Sequence, residues 1–494
     1  MYPIRVDSNE QYYKQANGPV GPPTSFIDRI IVIGLMAVIV GSTLAFGTVE
    51  PWSMATLGLL IVSCMILWGI KAVISGSLKF SVPATTFPLL ALFLLAIFQG
   101  VTVKNTTGRR SSISLDAEAT HLTAEILFVF IVAFLLSANF LASPRVLGWL
   151  RNFLIFFGLA LAVFGLLQHF TWNGKFYWVV ELRSQPPSPF GPFVNHNHFA
   201  GFVELIAPIP VALILRRAIR GELALLYGFA AAMMGLAIMM SLSRGGMISL
   251  VASLMFVVAF GFKPSGKRNS RDRFGARESL RGWTVVASRV GAIAVILFTI
   301  GIGVWWVGAD SVIRRLEKGE LTMDAGYKQP GKESFFYSRG WIWRDTAAMI
   351  RDNWMTGVGL GAFPTAYPIY STRDGMAPVS QAHNDYLQIL ADGGILGSVI
   401  ALWFIFLVAR DTLRASRHRN PLMAATALGC AGGLFALMVH SLFDFNLQIP
   451  SNALLFLVLT SVISRIATAS VEDEKGYQHV PEQAAHSKLM KAAV

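Results

Sequence analysis

Apolar runs of about twenty residues recur along this chain, and no other feature limits its possible folds so sharply. A helix rises about 1.5 Å per residue, so roughly 20 residues cross the ~30 Å hydrocarbon layer. Lipid offers backbone groups no hydrogen-bond partner. Each run must therefore close its own bonds as a helix, and irregular chain must lie outside the layer or inside protein. Twelve runs meet the length, centred near Met36, Met65, Phe93, Phe130, Leu159, Ile206, Met233, Ser253, Phe298, Trp403, Phe435 and Phe456. A mean hydropathy of +0.55 with 14% charged residues excludes a soluble protein of this size. The expected fold is an all-α polytopic membrane protein of about 12 transmembrane helices, with a large, partly helical loop between helices 9 and 10.

The polar segments set the boundaries. Residues 1–26 lack the short apolar core of a cleaved signal peptide and read as a disordered cytoplasmic leader. Residues 27–466 form the membrane domain, and residues 467–494 a polar cytoplasmic tail. The loops carry nineteen basic residues on one side, from Lys71 and Lys79 through the run Lys263–Arg289 to Arg419, against six on the other. The first side is cytoplasmic by the positive-inside rule. Both termini then lie inside, and the loop at 308–394 faces the periplasm. The formal charge of +13 is explained by these loops and by anionic lipid at their surface; it does not indicate nucleic acid. Cys64 and Cys430 fall inside apolar runs and read as small core residues.

Three stretches face outward between helices. The first, from Lys104 to His121, carries no signal. The second holds Trp172, Tyr177 and Trp178 as interface anchors, then a proline-rich turn, then Asn195, His196, Asn197 and His198 where a helix begins. An Asn there can cap the helix. Two His at i and i+2 do not share a helix face, and no Cys or acidic cluster is near, so a metal site is not expected. In the third, Trp343, Ala347, Ile350 and Trp354 follow helical spacing, while Arg344, Asp345, Arg351 and Asp352 fall largely elsewhere. That pattern reads as a helix lying on the membrane surface. The glycine-rich phrase Gly357–Phe363 lacks the strand, Lys and Ser/Thr of a phosphate loop and reads as a tight turn. A new helix follows, with His383, Leu387 and Leu390 on one face.

Charges near lipid mark the candidate site. Arg244 lies in a Ser-Leu-Ser-Arg-Gly-Gly phrase between two apolar runs with almost no loop. It either snorkels to headgroups or forms an anion site at the outer mouth, its two glycines letting backbone come close. Arg339, ahead of the surface helix, can reach the same mouth. His440, Asp444 and Asn446 form a further polar cluster at an outer helix end, either structural or part of the site. An imidazole titrates near neutrality, so His383 suits a general base. The guanidinium forks of Arg244 and Arg339 suit a departing diphosphate. No Asp-x-Asp pair is present to hold a catalytic divalent metal, so arginine takes the task of neutralising charge.

At these residues the sequence resembles the O-antigen ligase and polysaccharide polymerase family of bacterial envelopes. The matching stretches are FVNHNHFAGF, SLSRGG, YSRGW with its amphipathic helix, AHNDYLQILADGG and HSLFDFNLQIPSNALLF, a core spanning 193–456. The resemblance implies an inverting glycosyltransferase needing no metal or other cofactor. It would move a glycan from undecaprenyl diphosphate to a lipid A-core sugar, a growing glycan or, in some members, a protein, on the periplasmic face of the inner membrane. His383 matches the family's loop histidine, and Arg244 and Arg339 its outer-mouth arginines. Arg183 is assigned as a third. Asn195, His196, Asn197, Asn384, Asp385, His440 and Asp444 are taken as supporting or acceptor-site residues. Motifs alone do not separate ligase from polymerase; the resemblance leans to ligase, with polymerase as the alternative. A lipid-linked glycan transporter or flippase is the rival class, and a non-catalytic assembly partner a third. The gathering of candidate residues on one face favours an enzyme.

Overall fold

The computed structural model describes residues 25–78, 80–104, 110–141, 143–181, 189–261, 335–372 and 378–478. The apolar runs that fall within the described residues fold as helices. They form α1 (Phe26–Leu44), α2 (Pro51–Ser75), α3 (Thr86–Gly100), α4 (Ala117–Phe140), α5 (Pro144–Phe170), the broken pair α6 (His196–Ile206) and α7 (Pro208–Leu215), α8 (Glu222–Met240) and α9 (Arg244–Gly261). After the described chain resumes come α10 (Phe335–Asp352), α11 (Phe363–Tyr370), α12 (Asp385–Ala415), α13 (Pro421–His440) and α14 (Pro450–Gln478). The only strands among the described residues are the two-residue pair Val103–Lys104 and Arg110–Ser111. Ten spans are long and apolar enough to cross a membrane, α6 and α7 counting as one; α3 is a shorter apolar helix. The ninth expected run, around Phe298, lies outside the described residues, as do the basic run Lys263–Arg289, the first part of the 308–394 loop, the leader to residue 24 and Arg183. Residues 467–478 continue α14 as helix, so the expected tail boundary falls inside an unbroken element.

Local chemistry explains where the helices start. Ser25 and Asp28 form a capping box on α1, and Ser143 caps α5 with Pro144 at its first position. Asn195 caps α6, and Asn384 caps α12 through Tyr386 N and Leu387 N. Each such cap contributes about 1 kcal/mol. Pro208 has no N–H to offer the carbonyl four residues back, that of Glu204, so the sixth span breaks there.

Among the described residues, the basic loops gather at one end of the bundle. Asp28 pairs with Lys71, Arg465 with Ser81, and Asn152 with Tyr227. Arg216 donates to the carbonyls of Ser416 and Phe260 at 3.1 Å each, tying together the ends of α7, α12 and α9. The described chain leaves off at this end after α9 and resumes at the other with α10.

That other end is shaped by two close approaches. Gly433 on α13 runs against α6 so tightly that an added Cβ would fall on the carbonyl oxygen of Leu205; small residues let helices meet at backbone distance. In α12, Gly394 adopts φ 60°, ψ −157°, a conformation open essentially to glycine alone. The bonds freed by that break are taken by the glycine-rich turn: Val358 N donates to Ala391 O at 2.9 Å, Gly359 N to Asp392 O at 3.0 Å, and Ile395 N to Trp354 O at 2.8 Å. The turn is therefore a splint for a broken helix.

The amphipathic reading of α10 needs correction. Its buried stripe runs through Arg339, Asp345, Thr346 and Met349, and Asp345 accepts bonds from Tyr367 Oη, Thr372 N and Thr372 Oγ1 at 3.0–3.3 Å. Trp343 also turns inward, donating to Ala382 O at 2.9 Å. Of the expected stripe, Trp354, 56% exposed, and Ala347, also exposed, keep an outward position.

Candidate active site

The mouth at this end of the bundle is assembled from the starts of α6, α9, α10 and α12 and from the loop after α13. His383 is held just ahead of α12. On one side Ala382 is fixed by Trp343 and by its own N–H to Gln388 Oε1 at 2.7 Å. On the other, the Asn384 side chain caps the helix and donates to Leu442 O at 3.0 Å. Between these anchors His383 takes a left-handed backbone with φ 51°, uncommon outside glycine though better tolerated by His than by most residues. It precedes the helix, so the expected shared face with Leu387 and Leu390 does not exist; the clamp aims the imidazole instead.

The residue it is aimed at is Asp444. His383 Nδ1 lies 3.2 Å from Asp444 Oδ1. The same carboxylate accepts from Asn197 Nδ2 and from its neighbour's backbone, Phe445 N. Arg339 Nη2 stands 3.5 Å from its other oxygen. Asp444 is 1% exposed. Burial alone would push its carboxyl pKa upward, but the His383 hydrogen bond and the Arg339 charge outweigh that and hold it well below the usual carboxylate range. Burial lowers the Arg339 guanidinium to about 10, with Asp444 opposing the fall, so it is cationic at neutral pH. The His383 side chain, 32% exposed, is reachable from outside.

A carboxylate can only accept, so the Nδ1–Asp444 bond places a proton on Nδ1 and leaves Nε2 with a lone pair. An imidazole oriented in this way by a buried carboxylate is the base arrangement of acyl-transfer triads, without the nucleophile. It can take a proton from a hydroxyl.

The other expected residues divide. Asn195 acts as the cap of α6, the structural alternative raised for it, whereas Asn197 reaches Asp444. Asp385 is committed to the α13 loop, accepting from Ser441 Oγ at 2.7 Å and Leu447 N at 3.2 Å. His440 does not meet His383; its Nδ1 lies 2.9 Å from Glu204 Oε1 inside the bundle. Asn446 accepts from Asn452 and is buried as framework. Arg339 reaches the mouth and its guanidinium stands beside Asp444. Arg244 is the first residue of α9 and half-buried. His196 opens α6, half-buried.

Glu204 was not anticipated, and His198, noted where its helix begins, was not assigned to the site. Glu204 is fully buried, and the signal for it was present: an ionisable residue within an apolar run is a site candidate by default. His198 packs edge-on against Phe445, as His383 does from its own position, each with ring centroids 4.9 Å apart.

No curated protein matches the chain. Residues 229–402 match the family model described as O-antigen ligase. That stretch holds Arg244, Arg339 and His383, while Asn197, Glu204, His440 and Asp444 lie outside it. It is narrower than the 193–456 core suggested by the motifs. The chain thus carries, over residues 229–402, a match to the O-antigen ligase family model within an all-helical membrane architecture, and it is to that family that this stretch is similar.

Proposed function

We propose that the protein is an inverting, metal-independent membrane glycosyltransferase. It moves a glycan from undecaprenyl diphosphate to an acceptor sugar on the periplasmic face, as an O-antigen ligase does. The observation that carries this reading is the pair His383–Asp444 at an open mouth beside a buried cationic Arg339, in a chain whose residues 229–402 match the O-antigen ligase family model.

The chemistry follows from those parts. The acceptor hydroxyl gives its proton to His383 Nε2 as its oxygen forms a bond to the anomeric carbon. The bond from that carbon to the diphosphate oxygen breaks, and the diphosphate leaves with the electron pair. A single displacement from the opposite face inverts the anomeric centre. Asp444 keeps its charge throughout, stabilising the imidazolium that forms. Charge developing on the leaving group is met by arginine, with Arg244 assigned this contact and Arg339 holding the Asp444 side of the mouth. Asn197 completes the shell around Asp444. Lipid A-core or a growing glycan serves as acceptor.

The test uses the purified protein in lipid with excess EDTA and a labelled undecaprenyl-diphosphate glycan, with and without a lipid A-core acceptor. Release of undecaprenyl diphosphate with transfer only to the added core is the expected result. A ladder of longer glycans formed without core identifies a polymerase of the same family. Movement of the labelled lipid between leaflets with no transfer overturns the enzyme reading in favour of a transporter.

A further inference from the structure

Directly beneath the mouth lies a second polar chain that the proposed reaction does not use. Glu204 Oε1 lies 2.9 Å from His440 Nδ1, and Glu204 Oε2 accepts from Ser249 Oγ at 2.8 Å. His440 Nε2 lies 3.5 Å from Ser243 Oγ, which in turn accepts from Gly246 N at 3.1 Å. Glu204, His440, Ser243 and Ser249 are each at most 1% exposed. With the Nδ1 proton directed at Glu204, Nε2 accepts the Ser243 hydroxyl, and the Ser243 oxygen caps the first turn of α9.

What this chain ends on is the turn that presents Arg244. Ser243 immediately precedes Arg244, and Leu242 before it sits at φ 60°, a left-handed conformation costly for a branched side chain and stable only when its surroundings hold it. Gly245 lies flush on the imidazole, where an added Cβ would stand 2.5 Å from His440 Cδ2. The glycines of this phrase therefore serve the approach of α9 to His440 and α6. Three elements, α6, α9 and α13, are locked together next to Arg244, the first residue of α9.

We propose that Glu204 and His440 are a positioning pair for Arg244, holding the 241–246 turn so that the guanidinium meets the diphosphate. The inference rests on the assignment of Arg244 to that anion. A merely structural pair behaves differently. Replacing a buried ionisable pair by apolar residues is often neutral for stability, so Glu204→Leu/His440→Leu is expected to fold and insert. As a positioning pair, its loss weakens binding of undecaprenyl diphosphate, measured in nanodiscs, by tenfold or more. The same double substitution adds nothing in an Arg244→Ala background. Glu204→Gln keeps both hydrogen bonds, with its Oε1 accepting from His440 and its amide donating to Ser249, and stays within about twofold of the unaltered protein. Should the leucine pair fail to insert, Ser243→Ala cuts the same link and must also weaken binding. Undiminished affinity in the leucine pair or in Ser243→Ala, alongside a weakened Arg244→Ala, overturns the positioning role alone. Equal affinity in Arg244→Ala and the unaltered protein instead removes the diphosphate contact on which the inference stands.

Discussion

Asp444 decides how the imidazole of His383 can be used, because a buried carboxylate fixes both its tautomer and its direction. His383→Ala is expected to lower transfer by about 10²–10⁴-fold, the range for a positioned general base, with insertion unchanged. Asp444→Asn is expected to fall as far, since an amide can present its N–H to Nδ1 and reverse the tautomer. Single-turnover rates on labelled donor check both; a near-wild-type rate in either removes the dyad from the mechanism. Asp444 also carries a pH signature. Its folded pKa lies below the unfolded value of about 3.9, so its contribution to stability is complete above that value. It is lost as pH falls from there toward the folded pKa. Thermal midpoints measured from pH 7 down to 3 should therefore drop more steeply for the unaltered protein than for Asp444→Asn, with parallel curves above about pH 5. At this scale the sequence was half legible. His383 and Asp444 stood out as polar residues at the ends of apolar runs, and Arg339 as a cation ahead of a helix. Their meeting at one carboxylate was not readable, because it joins residues 339, 383 and 444 with Asn197 across four elements. Asp345 shows the converse error. Its charge suggested a solvent face, and only its partners Tyr367 and Thr372 explain why it is buried.

At the scale of elements, length and hydropathy located the helices because a spanning segment has no alternative way to satisfy its backbone. The departures from regular helix were less visible, and they are what shape the mouth. The break of α12 at Gly394 is splinted by the turn at 357–361, and the same turn anchors Asp392 through Gly361 N. The close run of α13 past α6 brings His440 within reach of Glu204 and carries the Asp444 loop to its place. Two alanine substitutions of identical chemistry separate this packing from helix propensity. Gly41 in α1 faces open space, whereas a Cβ at Gly433 would overlap the Leu205 carbonyl. Gly41→Ala is expected to be neutral or to stabilise by up to about 1 kcal/mol. Gly433→Ala is expected to destabilise by about 1–3 kcal/mol, the cost of overpacking. Unfolding in lipid followed by helical signal reads both, and shifts of the same sign would show that α13 is free to move away from α6.

Over the whole molecule, function depends on polarity along the bundle axis. The ends of α2, α4, α7, α9 and α12 lie together through Lys71, Asn139, Arg216 and Arg465 and their partners, while His383, Arg339, Asn197 and Asp444 sit at the opposite end. A polyprenyl diphosphate enters such a protein with its chain in lipid and its charge at the headgroup level, so only one mouth can receive a donor from one leaflet. In the proposed orientation the basic end meets anionic lipid of the cytoplasmic leaflet and the opposite mouth opens to the periplasm. The two native cysteines are buried, which allows the orientation to be read with one new thiol at a time. Asn173 is exposed in the turn after α5, at the site end, and Arg220 is exposed after α7, at the basic end. In spheroplasts, Asn173→Cys is expected to react with a membrane-impermeant maleimide from outside, and Arg220→Cys only after permeabilisation. The reverse pattern would turn the mouth to the cytoplasm. His383 would then face donors before their export, and the proposed transfer would have to be reassigned to the inner leaflet.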